Sequence, residues 1–173
     1  MGAGGDARGG LAPLLPFADR AGLVLLAPES RGRTWDLMSG SLGPDVAFID
    51  AALAATFARH AVDPARVAIQ GFSDGASYAL SLGLANGDLT GHILAFSPGF
   101  SAPPQRRERP RVFLSHGTED QVLPITATSR KIVADLRRHG HEVVYREFDG
   151  PHVVPPEITR EALDWFLAPT APR

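Results

Sequence analysis

Short apolar runs alternate with amphipathic stretches along this chain. Because buried parallel strands read as continuous apolar runs, five segments are predicted strands: residues 23–27, 66–70, 92–96, 112–115 and 143–148. Segments with apolar residues at helical spacing are predicted helices: residues 11–20, 46–60, 76–85, 126–139 and 157–167. Strands that alternate with helices form parallel sheets, so the pattern predicts an α/β fold with a mostly parallel sheet of about five strands flanked by helices.

Prolines and polar loops mark where these elements stop. Pro13 and Pro16 predict that the first helix is short or broken near its start. Polar loops are expected over residues 31–43 and 101–110. No repeat, interdomain linker or lid-sized insertion interrupts the pattern, so a single domain is predicted over residues 1–173.

The pentapeptide Gly71-Phe72-Ser73-Asp74-Gly75 joins a predicted strand to a predicted helix. Strand, Gly-x-Ser-x-Gly and helix, in this order, form the nucleophile elbow of serine hydrolases. The turn is tight enough that a side chain at either glycine would collide with its surroundings, and it lifts the Ser73 hydroxyl above the sheet. It also aims the Asp74 N–H at the position where an oxyanion would form. The structural alternative is a glycine-rich turn with a capping serine.

A serine nucleophile needs a base to take its proton and an acid to orient that base. In this architecture the order along the chain is Ser, then Asp or Glu, then His. Asp120 lies in a polar turn after the strand over residues 112–115, and His152 lies in the turn after the strand over residues 143–148. Because the carboxyl ends of parallel strands share one edge of a sheet, Ser73, Asp120 and His152 are expected to meet there.

Other titratable residues lie in the same turns. Glu119 is the alternative to Asp120 as the acid. Asp149 is close to His152 along the chain, but three residues within one turn give a poor geometry for an orienting acid. His116 is expected to satisfy a backbone hydrogen bond rather than to take part in catalysis.

Three segments at these separations resemble the phospholipase/carboxylesterase family of α/β-hydrolases. Residues 71–76 resemble its elbow, and residues 116–124 resemble its acid loop. Residues 150–152, followed by Glu157 and residues 164–166, resemble its histidine loop and last helix. The resemblance implies an α/β-hydrolase fold and ester hydrolysis, with Ser73 as the nucleophile, His152 as the base and Asp120 as the acid.

The first residues resemble the family only in part. Gly2-Ala3-Gly4-Gly5 is similar to the end of its oxyanion loop, His-Gly-x-Gly, which implies Ala3 N–H as the second oxyanion donor beside that of Asp74. In the family the histidine ends a central strand, whereas Met1 stands at that position here. We therefore expect a natural start upstream of Met1, with marginal stability or pairing of two copies as a homodimer for the chain as given; direct closure of the flanking strands is the third alternative.

Composition limits the partners and the location. The 17 basic and 19 acidic residues give a net charge of −2, which provides no field to attract nucleic acid or an anionic membrane. The absence of cysteine excludes disulfides and thiolate chemistry, and neither a metal ion nor a cofactor is predicted. No apolar run approaches the roughly 20 residues that span a bilayer, and residues 1–10 lack a signal-peptide core. A cytoplasmic location is expected, with secretion open if the chain starts upstream.

Three functional classes remain open. The first is a carboxylic ester hydrolase acting on a small-molecule ester. The second is a peptidase or amidase of the same fold, because both reactions use the same nucleophile. The third is an inactive hydrolase-like fragment that binds a ligand. The substrate pocket is expected to be shallow and to prefer short acyl chains, with four residues from strand-end loops as its walls: Trp35, Phe100, Leu123 and Val153.

Overall fold

The centre of the molecule is a sheet of four parallel strands in the order β1-β2-β3-β4, seen in a computed structural model that describes residues 5–39 and 43–169. The strands are β1 Ala68–Phe72, β2 His92–Phe96, β3 Arg111–Gly117 and β4 Val143–Phe148. The α-helices are α1 Ala7–Leu11, α2 Leu15–Ala21, α3 Pro44–Phe57, α4 Asp74–Ala85, α5 Ser129–Arg138 and α6 Pro156–Leu167. Short 3-10 helices span Asp36–Ser39 and Pro64–Arg66. The α/β fold and the parallel sheet are therefore as predicted.

Both faces of the sheet are covered by helices, which explains the continuous apolar runs of the strands. On one face Ile93 of β2 packs with Leu80 of α4 and Leu136 of α5. On the other face Leu94, the next residue of β2, packs with Ile158 of α6. Residues 75–85 of α4 are all buried, so the helix that follows the predicted elbow lies in the core.

The first predicted helix is broken as its prolines require. α1 ends at Leu11 and α2 begins at Leu15, with Pro13 between them. Gly22 ends α2 with a φ of 62°, a left-handed conformation that glycine adopts without strain. Within the described ranges, every helix falls short of the length and apolar character that crossing a membrane requires.

The predicted strand over residues 23–27 is wrong. In the described structure this segment joins no sheet, and Val24 and Leu26 are 47% and 41% exposed. The sheet therefore has four strands rather than five, and among the described residues β1 has a paired neighbour on one side only. An apolar run is compatible with a strand, but the strand forms only where a neighbouring strand completes its hydrogen bonds. Self-association through an open edge stays a prediction, as does the single-domain division.

Candidate active site

The turn between β1 and α4 holds Ser73 in a strained backbone conformation. Its φ of 59° and ψ of −123° lie in a region that residues with a side chain rarely adopt. A side chain on Gly71 would place its first carbon 2.0 Å from the Gly75 carbonyl oxygen, so only glycine fits there. The Ser73 N–H donates to the Phe96 carbonyl at 2.9 Å, which fixes the turn to the end of β2. This is the geometry that the Gly-x-Ser-x-Gly pattern predicts.

The first turn of α4 leaves one backbone donor free beside Ser73. The N–H groups of Ala76 and Ser77 donate to the Ser73 carbonyl at 3.0 and 3.1 Å. No described residue accepts a hydrogen bond from the Asp74 N–H, which lies at the positive end of the helix dipole. The free N–H can therefore receive an anionic oxygen next to Ser73. Ala3, the predicted second donor, lies outside the described residues.

The loop after β3 buries the side chain of Asp120 and surrounds it with donors. Its Oδ1 accepts from the N–H groups of Val122 and Leu123 at 2.9 and 2.8 Å. Its Oδ2 lies 2.5 Å from Nδ1 of His152. Burial acts to raise the pKa of Asp120, but the Leu123 N–H and His152 outweigh burial and hold that pKa below its ordinary value. Asp120 is therefore a carboxylate at neutral pH.

The imidazole of His152 lies between Ser73 and Asp120. Its Nε2 is 2.9 Å from Ser73 Oγ, and its Nδ1 is 2.5 Å from Asp120 Oδ2. A carboxylate only accepts hydrogen bonds, so Nδ1 carries the proton and Nε2 is left to accept the Ser73 hydroxyl proton. The ring also packs on Phe72, with the ring centroids 4.7 Å apart. The structure thus brings Ser73, Asp120 and His152 into one hydrogen-bonded line, and that line can transfer a proton away from the serine hydroxyl.

Asp120 and His152 meet because their two loops touch backbone to backbone. A side chain on Gly117 would place its first carbon 2.3 Å from the Gly150 carbonyl oxygen and 2.5 Å from that of Pro151. In addition, the Glu119 N–H donates to the Gly150 carbonyl at 3.0 Å. The distance between acid and base is therefore set by main-chain packing of the two loops.

The alternative acids lie apart from this line. Glu119 and Asp149 are both exposed, and neither is hydrogen-bonded to His152. Asp149 Oδ1 instead accepts from the Thr118 hydroxyl at 3.3 Å.

His116 makes more contacts than the sequence led us to expect. The ring is fully buried, and its Nε2 lies 2.8 Å from the Leu123 carbonyl oxygen, which is the expected backbone hydrogen bond. The same nitrogen is 3.0 Å from Asp120 Oδ2, and Nδ1 is 2.5 Å from Ser129 Oγ. His116 lies near the end of β3, four residues before Asp120, and this spacing was the signal available for their contact. Burial lowers the pKa of His116 below its ordinary value.

The loop that contains Trp35 also reaches the start of α4, through a contact of Thr34 that was not predicted. The Thr34 hydroxyl donates to Asp74 Oδ2 at 2.5 Å. The loop is held by Asp45, whose carboxylate accepts from the N–H groups of Arg31 and Asp36 at 2.6 and 2.7 Å. Nothing in the sequence pattern distinguishes Thr34 from its neighbours, because the contact depends on how this loop folds back over α4.

Beside this loop lies a cavity of about 520 Å³ lined by Gly5, Asp6, Glu29, Ser30, Gly32, Arg33 and Thr34. None of the four predicted pocket walls lines it. Trp35 stacks on Tyr78 at 4.5 Å, and the Phe100 N–H donates to Ser77 Oγ at 3.3 Å. Leu123 is half-buried in the acid loop, and Val153 is 44% exposed. The assignment of these walls stays a prediction. In the part of the chain that the structure describes, no group of three His, Cys, Asp or Glu side chains is placed to hold a metal ion.

Several solved structures share this fold. Esterase PE8 aligns over 95% of this chain and 87% of its own, with a TM-score of 0.72 and 22% identity. SOBER1 of Arabidopsis thaliana aligns over 70% of this chain with a TM-score of 0.60 and 18% identity, and S-formylglutathione hydrolase (FrmB) of Staphylococcus aureus over 71% with 0.58 and 15%. The aligned part spans 61% and 60% of those two chains. At these identities the likeness shows a shared fold.

No curated protein matches the chain. The sequence model of the phospholipase/carboxylesterase family matches residues 44–156, which is more than half of the chain and includes Ser73, Asp120 and His152. The chain therefore belongs to the phospholipase/carboxylesterase family of α/β-hydrolases.

Proposed function

We propose that this hydrolase cleaves carboxylic esters through an acyl-enzyme on Ser73, with His152 as the base and Asp120 as the acid. The observation that carries the proposal is the position of the His152 imidazole. It lies 2.9 Å from the hydroxyl of Ser73, whose backbone is strained, and 2.5 Å from the buried carboxylate of Asp120. Ionised Asp120 stabilises the charge that forms on His152 when it takes the Ser73 proton. The arrangement of the three groups therefore supports acyl transfer.

The reaction follows from these positions. Ser73 Oγ attacks the ester carbonyl carbon while its proton passes to His152 Nε2, and the carbonyl oxygen becomes an oxyanion. The intermediate collapses, the bond to the alcohol oxygen breaks, and His152 returns the proton to the leaving alcohol. Water then repeats the attack on the acyl-enzyme with the same base and releases the carboxylic acid.

The free N–H of Asp74 supports the proposal as one oxyanion donor. It belongs to the residue after the nucleophile, at the start of a 12-residue helix whose dipole favours negative charge. The Thr34 hydroxyl holds the Asp74 side chain, which steadies the peptide that carries this donor. Ala3 N–H remains the proposed second donor.

We assign short acyl chains to this site. The cavity beside Thr34, whose hydroxyl bonds to Asp74, is lined by glycines and polar side chains, so a long alkyl chain would gain little from entering it. Each buried methylene contributes about 0.8 kcal/mol only where apolar surface covers it. Val153, next to the base in the chain, is 44% exposed.

A substrate series on three proteins tests the proposal. Wild type, Ser73→Ala and Ser101→Ala are assayed with p-nitrophenyl esters of increasing acyl length and with p-nitroanilides. Ser101 is the matched control, because its hydroxyl has no hydrogen-bond partner among the described residues. We expect wild type and Ser101→Ala to cleave short esters faster than long ones, and Ser73→Ala to lose about 10⁴-fold or more in kcat.

Any result other than these contradicts a specific part of the proposal. Turnover by Ser73→Ala near the wild-type rate contradicts the nucleophile. Faster cleavage of anilides than of esters assigns the site to amide hydrolysis. A rate that climbs steadily with acyl length contradicts the short-chain assignment, and a folded wild type that cleaves neither class is an inactive binding domain.

A further inference from the structure

A second imidazole, that of His116, lies beside Asp120 in addition to that of His152. Asp120 Oδ1 is occupied by two backbone N–H groups. Oδ2 lies 2.5 Å from His152 Nδ1 and 3.0 Å from His116 Nε2. Two imidazoles from different strand ends therefore share one carboxylate oxygen.

The surroundings of His116 determine where its proton lies. Both groups that face Nε2, the Leu123 carbonyl and the Asp120 carboxylate, only accept hydrogen bonds, so Nε2 must carry a proton. The ring is fully buried, and burial lowers its pKa, which favours the neutral form. In a neutral ring with a protonated Nε2, Nδ1 is an acceptor, and the Ser129 hydroxyl at 2.5 Å is its donor.

Among the charged groups around this ring, Asp120 is the one that lies against Nε2, beside the Leu123 carbonyl that accepts its hydrogen bond. Glu147 of β4 pairs in register with His116, but its two oxygens accept from the Arg130 guanidinium at 2.8 Å each. The other charged neighbours are Asp120 itself and, when it is protonated, His152. Asp120 is the anion within hydrogen-bond distance of His116 in the described structure.

We propose that His116 is a positioning residue, whose neutral Nε2–H lies against Asp120 Oδ2 and sets how strongly Asp120 holds the proton on His152. The inference rests on the proposed function. An N–H group beside Oδ2 disperses the charge of that oxygen and so weakens its attraction to the His152 imidazolium. Without that donor, Oδ2 binds the His152 imidazolium more tightly, so His152 stays protonated to higher pH and returns its proton to the leaving alcohol less readily.

Two amide substitutions separate this role from simple packing. In His116→Gln the side-chain nitrogen reaches the place of Nε2 and keeps a donor for Asp120. In His116→Asn the shorter amide reaches only the place of Nδ1, so the donor to Asp120 is lost. We expect His116→Asn to lose on the order of tenfold in kcat, since hydrogen bonds to charged groups are the strong ones. The acid limb of its kcat/KM profile should move to higher pH by about one unit.

His116→Gln should restore most of the lost kcat and bring the acid limb back to the wild-type position. A packing role predicts the opposite pattern, with losses that follow stability in both variants and an acid limb that does not move. His141→Gln is the control, because His141 is also a buried histidine, bonded through Nδ1 to the Pro110 carbonyl at 3.0 Å and apart from the site. It should lower stability and leave the acid limb in place.

The outcomes distinguish this inference from the proposed function. Retained turnover in Ser73→Ala rejects the function itself. If Ser73→Ala loses turnover but His116→Asn keeps the wild-type kcat and an unmoved acid limb, only the role of His116 is rejected and the proposed function stands.

A measurement on the wild type covers the case in which His116→Asn does not fold. Imidazole ¹⁵N NMR between pH 5 and 8 reports the tautomer, and the His116 signals are assigned by their loss in His116→Gln. We expect a protonated Nε2 and an unprotonated Nδ1 that do not titrate in this range. A protonated Nδ1, or a ring that becomes positively charged, would overturn the inference.

Discussion

At the scale of single residues, the site depends on which nitrogen of each histidine carries a proton. Asp120 fixes the proton of His152 on Nδ1, and this leaves Nε2 free to accept from Ser73 at 2.9 Å. Burial acts to raise the pKa of Asp120, but the Leu123 N–H and the two imidazoles hold it below its ordinary value, so the carboxylate stays charged when His152 takes up the serine proton. The assignment of Asp120 as the acid can be tested directly by mutation.

Asp120→Asn and Glu119→Gln form a matched pair, because each replaces a carboxylate by an amide at adjacent positions. Asn cannot fix His152 in the required tautomer, so we expect a fall in kcat on the order of 10⁴-fold for Asp120→Asn. Glu119 is exposed, and Glu119→Gln should stay within about twofold of wild type. Initial rates on a short-chain p-nitrophenyl ester measure both. The reverse result would move the acid to Glu119.

At the scale of elements, close main-chain approaches hold the site together. The elbow packs against itself at Gly71, and the acid loop packs against the histidine loop at Gly117. On α4, Ser77 Oγ donates to the Ser73 carbonyl at 3.3 Å and accepts from the Gly99 N–H at 2.9 Å, so the loop after β2 is fixed to the same helix. Loss of any one approach would change distances between side chains that are far apart in sequence.

Gly117→Ala tests this dependence. Its new methyl would lie 2.3 Å from the Gly150 carbonyl oxygen, so the acid and histidine loops must separate. We expect a loss of about 1–3 kcal/mol in stability. A displacement of about 1 Å between acid and base should also lower kcat about 100-fold. Gly91→Ala is the control, because the nearest atom to its added carbon is 3.9 Å away. Equal kcat in the two variants, both folded, would contradict the account.

The sequence predicts elements well where a local pattern decides the structure. Strands β2 and β4 have the predicted bounds, and the Gly-x-Ser-x-Gly turn has the expected strain at Ser73. The segment over residues 23–27 fails, because pairing depends on a neighbouring strand that an apolar pattern does not supply. The contacts of Thr34 and His116 were missed for a related reason, since both depend on how separate loops fold toward one another.

At the scale of the whole molecule, buried histidines couple stability to pH. His116 and His141 are 0% and 6% exposed, and burial lowers the pKa of each below its ordinary value of 6.5. Above about pH 6.5 both are neutral in the folded and the unfolded chain, so they add no pH dependence. Below that pH the unfolded chain takes up protons that the folded chain does not, and stability falls.

The free energy of unfolding should therefore decrease from pH 7 toward pH 5, by up to about 1.4 kcal/mol per pH unit for each buried histidine. Asp120, whose pKa is lowered from 3.8, adds a second decrease as pH falls below that value. Urea unfolding monitored by fluorescence at several pH values measures both. In His141→Gln the slope between pH 7 and 5 should be shallower by the share of one histidine. An unfolding free energy that stays constant from pH 7 to 5 would contradict the burial of neutral histidines.

The central claim is that Ser73 is the nucleophile, activated by His152. Incubation with a fluorophosphonate, followed by peptide mapping with mass spectrometry, tests it most directly, because the reagent phosphonylates only a serine that a base has activated. The account predicts a single adduct on Ser73, no adduct in Ser73→Ala, and labelling at least about 100-fold slower in His152→Ala. An adduct on another serine, or no labelling of the folded wild-type protein, would contradict it.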